Sequence, residues 1–209
     1  MNKNGILLAT TNHGKILEIK AHFANLPATI YSLHNLNIGN NFLEKGKTFV
    51  ENARGKSLFY SKKVESLTLA EDSGLEIECL NGAPGVFSAR FAGPHATDEE
   101  NIQKVLGLMK GIPRPLRKAR FVSYMVLSKK QRIITEVEGI VEGFIGLKIE
   151  GKLGFGYDPI FYYPPLRKTF AKLLSGEKNQ VSHRGCALRE MSKFLEKYLR
   201  RGGNPPLLF

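Results

Sequence analysis

The chain has 209 residues, 42% hydrophobic and 24% charged, which is enough for one substantial core and is ordinary for a folded globular protein. Its net charge of +12 favours anionic partners. The basic residues are spread out, however, with local excess only at 114–120 and 193–201, and no RNA-binding signature with interleaved aromatics accompanies them. No apolar run approaches the about 20 residues that cross a bilayer. The N-terminal apolar run is too short for a secretory leader, so the expected location is the cytoplasm. Cys79 and Cys186 lack metal-ligand spacing and are expected as free thiols, Cys79 buried in a strand.

Residues 6–9 predict a short buried strand. It runs into Thr10, Thr11, Asn12, His13, Gly14 and Lys15, then a helix with Ile16, Ile19, Ala21 and Phe23 near 3.6-residue spacing. A strand, a polar glycine-containing turn and a helix start present backbone N–H groups to a phosphate. Lys15, in the first turn, reaches the same anion. The turn is not a Walker A loop, so a capped helix with a solvated lysine is the plain alternative.

Residues 28–32 predict a second strand, and 50–63 a helix with Glu51 near its start, where the helix dipole favours an acid. Glu44 stands outside that helix, in a loop position open to a ligand or metal. Residues 67–70 predict a strand ending in Glu71, Asp72, Ser73 and Gly74. Adjacent carboxylates beside buried segments suit a divalent cation shared with substrate phosphates, or a base that activates water; a surface turn carrying two acids is the alternative. Residues 75–80 alternate as a half-exposed strand, followed by a turn cluster at 81–85.

Thr97 and Glu100 form a capping-box pattern ahead of a helix with Ile102, Val105, Leu106 and Met109 on its apolar face, ended by Pro113 and Pro115. Residues 119–127 and 133–140 predict antiparallel strands joined at 129–131, with glycine-broken strand continuing to 146. Gly154, Phe155 and Gly156 then place a ring between two residues that tolerate close approach, and Tyr157 and Asp158 precede a proline that stops a helix. Lys178, His183 and Arg184 add three nitrogenous donors. A ring face with such donors suits a planar anion such as a nucleotide. Residues 188–199 predict an amphipathic helix with Met191, Phe194, Leu195 and Tyr198 on one face, and 202–209 a frayed tail.

Taken in order, ATTNHGK, FVENA, AEDSGLEIECLNGAPGVFSARFAG, GFGYDPIF, TFAKL and EKNQVSHRG resemble the Ham1/inosine triphosphate pyrophosphatase family, and most closely its bacterial dITP/XTP pyrophosphatases. The likeness runs from Leu7 to Leu188. It implies an α/β fold of Maf/Ham1 type: an elongated mixed central sheet with flanking helices, in two lobes around a nucleotide-binding cleft. One pyrophosphatase domain would span 1–209, acting as a homodimer. The implied reaction converts ITP, dITP or XTP to the monophosphate and pyrophosphate with Mg²⁺, which keeps these nucleotides out of DNA and RNA.

Carried over by motif, Thr10, Thr11, Asn12, His13, Gly14 and Lys15 grip the triphosphate. Glu44 and Asp72 hold the metal, with Asp72 also the base that activates water. Ser73 touches the substrate, and Phe155, Gly156, Tyr157 and Asp158 hold base and sugar. Lys178, His183 and Arg184 complete the site, Arg184 facing a 6-keto oxygen. Three positions depart from the common family pattern: Glu71 where a second Asp is frequent, Lys172 where an acid is common, and Thr11 where glycine is frequent. The rival enzyme is a Maf-like pyrimidine nucleotide pyrophosphatase, against which SHRG and GFGYDPIF argue. The rival outside enzymes is a basic nucleic-acid-binding protein, which the carboxylates oppose because they repel a phosphate backbone. No stable nucleic-acid complex is expected.

Overall fold

Four successive buried residues make Gly5–Leu8 (β1) a strand covered on both faces. It pairs in parallel with Thr29–Ser32 (β2) on one side and Leu67–Ile77 (β3) on the other, Leu7 opposite Tyr31 and Thr68. Parallel neighbours need crossovers. These carry His13–His22 (α1) between β1 and β2, and Phe49–Ser61 (α2) between β2 and β3. The computed structural model describes residues 5–39 and 41–202, so the tail expected at 202–209 falls outside them from residue 203 on.

The remaining strands are Lys118–Lys129 (β4), Arg132–Ile145 (β5), Phe161–Tyr163 (β6) and Lys168–Thr169 (β7). The seven-stranded mixed sheet has the order β2-β1-β3-β4-β5-β6-β7. Its helices are completed by Asp98–Leu108 (α3), Ser175–Val181 (α4) and His183–Arg200 (α5). Two compact units emerge. The first takes residues 1–72, 123–138 and 185–209, and the second 73–122 and 139–184.

In the first unit, side chains of β1 alternate between two cores. Ile6 and Leu8 pack with Ile19 and Phe23 of α1 and with Leu188, Met191, Leu195 and Tyr198 of α5. Leu7 and Ala9 enter the other core, with Leu33, Tyr60 and Ala70. In the second unit, Ile102, Val105 and Met109 of α3 join Leu75, Ile77, Phe121, Phe161 and Phe170. Phe121 lies 4.6 Å from Phe161, ring centre to ring centre. Each such apolar side chain contributes about 1.5–3 kcal/mol by leaving water. Arg117 braces the second unit from inside: it donates to the carbonyls of Met109 (2.7 Å), Ile145 (2.8 Å) and Gly146 (2.7 Å). The predicted capping box is formed, Glu100 N donating to Thr97 Oγ1 at 3.2 Å and Thr97 N to Glu100 Oε2 at 2.7 Å.

Several expectations need correction. Glu71, Asp72, Ser73 and Gly74 do not end a strand; they lie inside the eleven-residue β3, where pairing with β1 and β4 outweighs the local turn tendency of Ser-Gly. Cys79 is exposed in the 3-10 turn Glu78–Leu80, because β3 stops at Ile77. The glycines of β5 do not break it over its fourteen residues. Gly143 is required there, since a Cβ would fall 2.5 Å from the Tyr162 carbonyl oxygen on β6. The β4–β5 turn uses Lys130 and Gln131 with φ of 47° and 61°, the left-handed pair of a two-residue hairpin loop made without glycine. Helix α5 starts at His183, ahead of the expected 188.

Candidate active site

In the first unit, the turn after β1 becomes the N-terminus of α1. Asn12 is the N-cap, its side chain accepting from Lys15 N at 2.9 Å, while Thr10 Oγ1 accepts from Asn12 N at 3.2 Å. The first-turn N–H groups of His13 and Gly14 have no acceptor within the helix, which is what an anion uses. Thr11, Asn12 and His13 are exposed.

Asp72 is 6% exposed, on β3. Burial raises its carboxyl above the ordinary carboxylate range; Lys15 and Lys56 pull it back down, and Glu44 pushes it up. Its Oδ2 accepts from Asn52 Nδ2 at 3.0 Å. Lys56, buried on α2, forms an ion pair with Glu44 and donates to the Glu71 carbonyl at 3.2 Å. Successive strand residues point to opposite faces. The Glu71 carboxylate accordingly goes elsewhere, accepting from Ser123 Oγ at 2.8 Å.

Glu44 and Asp72 are thus two carboxylates within electrostatic reach of each other and of two lysines. Among the described residues no group of three or more His, Cys, Asp or Glu forms a protein-only metal cage. A pair of carboxylates fits Mg²⁺, which takes one or two protein oxygens and completes its shell with phosphates and water.

In the second unit, Gly154 and Gly156 hold the loop around Phe155 with φ of 79° and 59°. A Cβ on Gly154 would lie 2.0 Å from Asp158 Oδ2, so the carboxylate packs against bare backbone. That Oδ2 accepts from Phe155 N at 3.0 Å and from Lys178 Nζ at 2.5 Å. Lys178 Nζ lies 4.6 Å from the centre of the Phe155 ring and Arg184 Cζ 5.4 Å. Arg184, 2% exposed, donates from Nη2 to Ser73 Oγ at 3.1 Å. His183 stacks on Phe121, centroids 4.7 Å apart and planes 13° from parallel. Ser73, Phe155, Asp158, Lys178 and Arg184 are therefore one connected group.

Two predicted residues differ in character. Tyr157 turns its ring into the core and donates its hydroxyl to the Ser88 carbonyl at 2.8 Å, so only its backbone belongs to the loop surface. Gly156 N donates to Asp98 Oδ2 at 2.6 Å. The added charge of Lys172 is matched by an exposed ion pair with Glu150. A separate cavity of about 790 Å³ in the second unit, with Glu76, Arg120, Phe144 and Tyr163 in its lining, includes none of these residues.

Motif reading gave no role to Asn52, although FVENA contains it, or to Lys56. Both lie on the inward stripe of α2 with Phe49, Ala53 and Tyr60. Their signal was polar residues at helical spacing on a face that should be apolar.

A profile of the Ham1 family matches residues 6–194. The chain is 44% identical over 194 residues to a dITP/XTP pyrophosphatase of Thermoanaerobacter pseudethanolicus, covering 93% of this chain and 98% of that one. It is 43% identical over 190 residues to the dITP/XTP pyrophosphatase of Bacillus subtilis, covering 91% and 96%. The solved structure of a HAM1 protein from Coxiella burnetii superposes with a TM-score of 0.84 at 40% identity, covering 92% of this chain and 98% of that one. The Staphylococcus aureus Ham1 protein gives 0.81 at 39%, with the same coverage. By profile, sequence and fold alike, the chain belongs to the Ham1 family.

Proposed function

We propose that this chain hydrolyses non-standard purine nucleoside triphosphates (dITP, XTP and ITP) to the monophosphate and pyrophosphate, clearing them from the nucleotide pool. The observation that carries the proposal is Asp72, a buried carboxylate with a second carboxylate and two lysines around it, in a chain more than two-fifths identical to dITP/XTP pyrophosphatases.

The residues divide the work. The N-terminus of α1 and Lys15 take the triphosphate, with Lys56 adding positive charge beside Glu44. Glu44 and Asp72 would hold Mg²⁺, which when bound offsets phosphate charge and orients the reacting oxygens. Asp72 takes a proton from water as the water oxygen bonds to phosphorus at the α–β anhydride, and pyrophosphate leaves. Little covalent machinery is needed, because positioning and electrostatics supply most of the stabilisation in phosphoryl transfer.

Phe155 offers a face to the purine, and Arg184, held by Ser73, donates to the 6-keto oxygen. Adenine would bring an amino donor there, costing about 1–3 kcal/mol as an unpaired buried polar contact. We further propose a homodimer working in the cytoplasm, checked by light scattering and fractionation. The activity test is pyrophosphate release from ITP, dITP, XTP, GTP, ATP and dTTP, with Mg²⁺ and with EDTA. Metal-dependent turnover of the first three far above GTP and ATP is expected. Turnover of dTTP instead would point to pyrimidine nucleotides, and none at all would remove the enzymatic reading.

A further inference from the structure

Asn52 is 1% exposed, and both ends of its amide are engaged. Oδ1 accepts from the Gly46 backbone N–H at 2.8 Å, and Nδ2 donates to Asp72 Oδ2 at 3.0 Å. Chemistry fixes this orientation of the amide: the reverse would set donor against donor at Gly46 and acceptor against carboxylate at Asp72. The amide is itself held by a rigid element. Asn52 N donates to the Thr48 carbonyl at 3.2 Å, and Thr48 Oγ1 caps α2 by accepting from Glu51 N at 3.1 Å.

Gly46 is two residues from Glu44, so the same side chain grips the loop that carries Glu44 and the strand that carries Asp72. The grip is close. A Cβ on Gly46 would fall 2.6 Å from Asn52 Oδ1 and 2.8 Å from Glu51 Cβ. Oδ1 ends a side chain, but Glu51 Cβ and the Asn52 backbone N, 3.0 Å away, are fixed by α2, so glycine is what lets the loop backbone reach the amide. One turn further along α2, Lys56 pairs with Glu44 and donates to the Glu71 carbonyl, a second tie between the same loop and strand.

We infer that Asn52 is a positioning residue for the hydrolysis. It commits Asp72 Oδ2 to the protein so that the carboxylate keeps one orientation, and it sets the separation between Asp72 and the Glu44 loop. The inference rests on Asp72 being the base and a metal-side carboxylate. Partners that orient a metal ligand or base typically matter 10–100-fold when removed.

The test uses the full chain with ITP. Asn52→Ala is expected to lower kcat about 10–100-fold and to raise half-saturating Mg²⁺, with KM for ITP little changed. A Mn²⁺ titration without nucleotide, read by thermal shift, should show weaker stabilisation in the same variant. Asn52→Asp keeps the acceptor for Gly46 but sets a carboxylate against Asp72. If Asn52 merely anchors the loop, this variant stays near wild type; if it positions Asp72, kcat falls here too. Gly46→Ala crowds Oδ1 with Asn52 intact and carries the same test should Asn52→Ala fail to fold. Unchanged kcat and metal response in folded Asn52→Asp and Gly46→Ala would overturn the inference. Asp72→Asn separates the two levels. Near-normal turnover in it removes the base assignment, whereas an inactive Asp72→Asn beside a fully active Asn52→Ala removes only the positioning role.

Discussion

Asp72 carries opposite consequences for activity and for stability. As the proposed base it must be ionised, and losing it should lower turnover of ITP by about 10²–10⁴-fold, the usual worth of general base catalysis. Burial, though, raises its native carboxyl. A raised acid binds its proton more tightly when folded, so its contribution to stability is greatest below the unfolded value of about 3.9 and is lost as pH climbs through the native value. The metal-free Asp72→Asn protein should therefore be more stable than wild type at neutral pH, with the difference closing towards pH 4. Urea melts with EDTA across that range check it. At Arg184, replacement by Ala should narrow the preference for ITP over ATP by about tenfold or more, the worth of one buried donor. Equal losses on both nucleotides would make Arg184 a phosphate or packing residue. Asp72 stood out in the sequence as one of two adjacent carboxylates, and Arg184 through the family motif that carries it. Asn52 and Lys56 did not, since a periodic pattern treats polar residues on the inward face of α2 as interruptions, and only the folded chain brings Gly46 and Asp72 to them.

Among the elements, the loop of 154–158 depends on α4 for its shape. Asp158, buried beside the bare backbone of Gly154, is paired with Lys178 and accepts from Phe155 N. Lys178→Met should destabilise the protein by about 3–5 kcal/mol, the cost of leaving one member of a buried pair behind. Turnover should fall with it as Phe155 loses its anchor, and chemical melts beside kinetics will read both. The elements also show where local signals give way. Periodicity was enough for Ile19 and Phe23 at α1 and for the inner face of α5, where burial follows 3.6-residue spacing, but Ala21, expected on the same face of α1, is exposed. Ser73 and Gly74 carried turn chemistry, yet β3 runs straight through them, held by ladders to strands distant in sequence. Cys79 shows the opposite error, placed in a strand that ends two residues earlier, at Ile77.

For the molecule as a whole, a charge of +12 acts on every anion that approaches. Nucleoside triphosphates are such anions, and screening weakens attraction beyond about 10 Å at 0.1 M salt. Raising NaCl from low to physiological strength should thus reduce kcat/KM for ITP several-fold while kcat holds nearly steady, provided free Mg²⁺ is kept constant. A fall in kcat alone would place the salt effect in chemistry, not in capture. The same charge bears on the sheet's borders. Its longest strands, β4 and β5, lie inside the order, and the two outermost are β2, of four residues, and β7, of two, the latter opening on an exposed lysine. Borders this short, with a lysine on β7, offer little backbone for another chain to continue. A concentrated, partly unfolded population of this protein is then poorly templated by its native form, and fibril growth seeded from folded molecules should be slow.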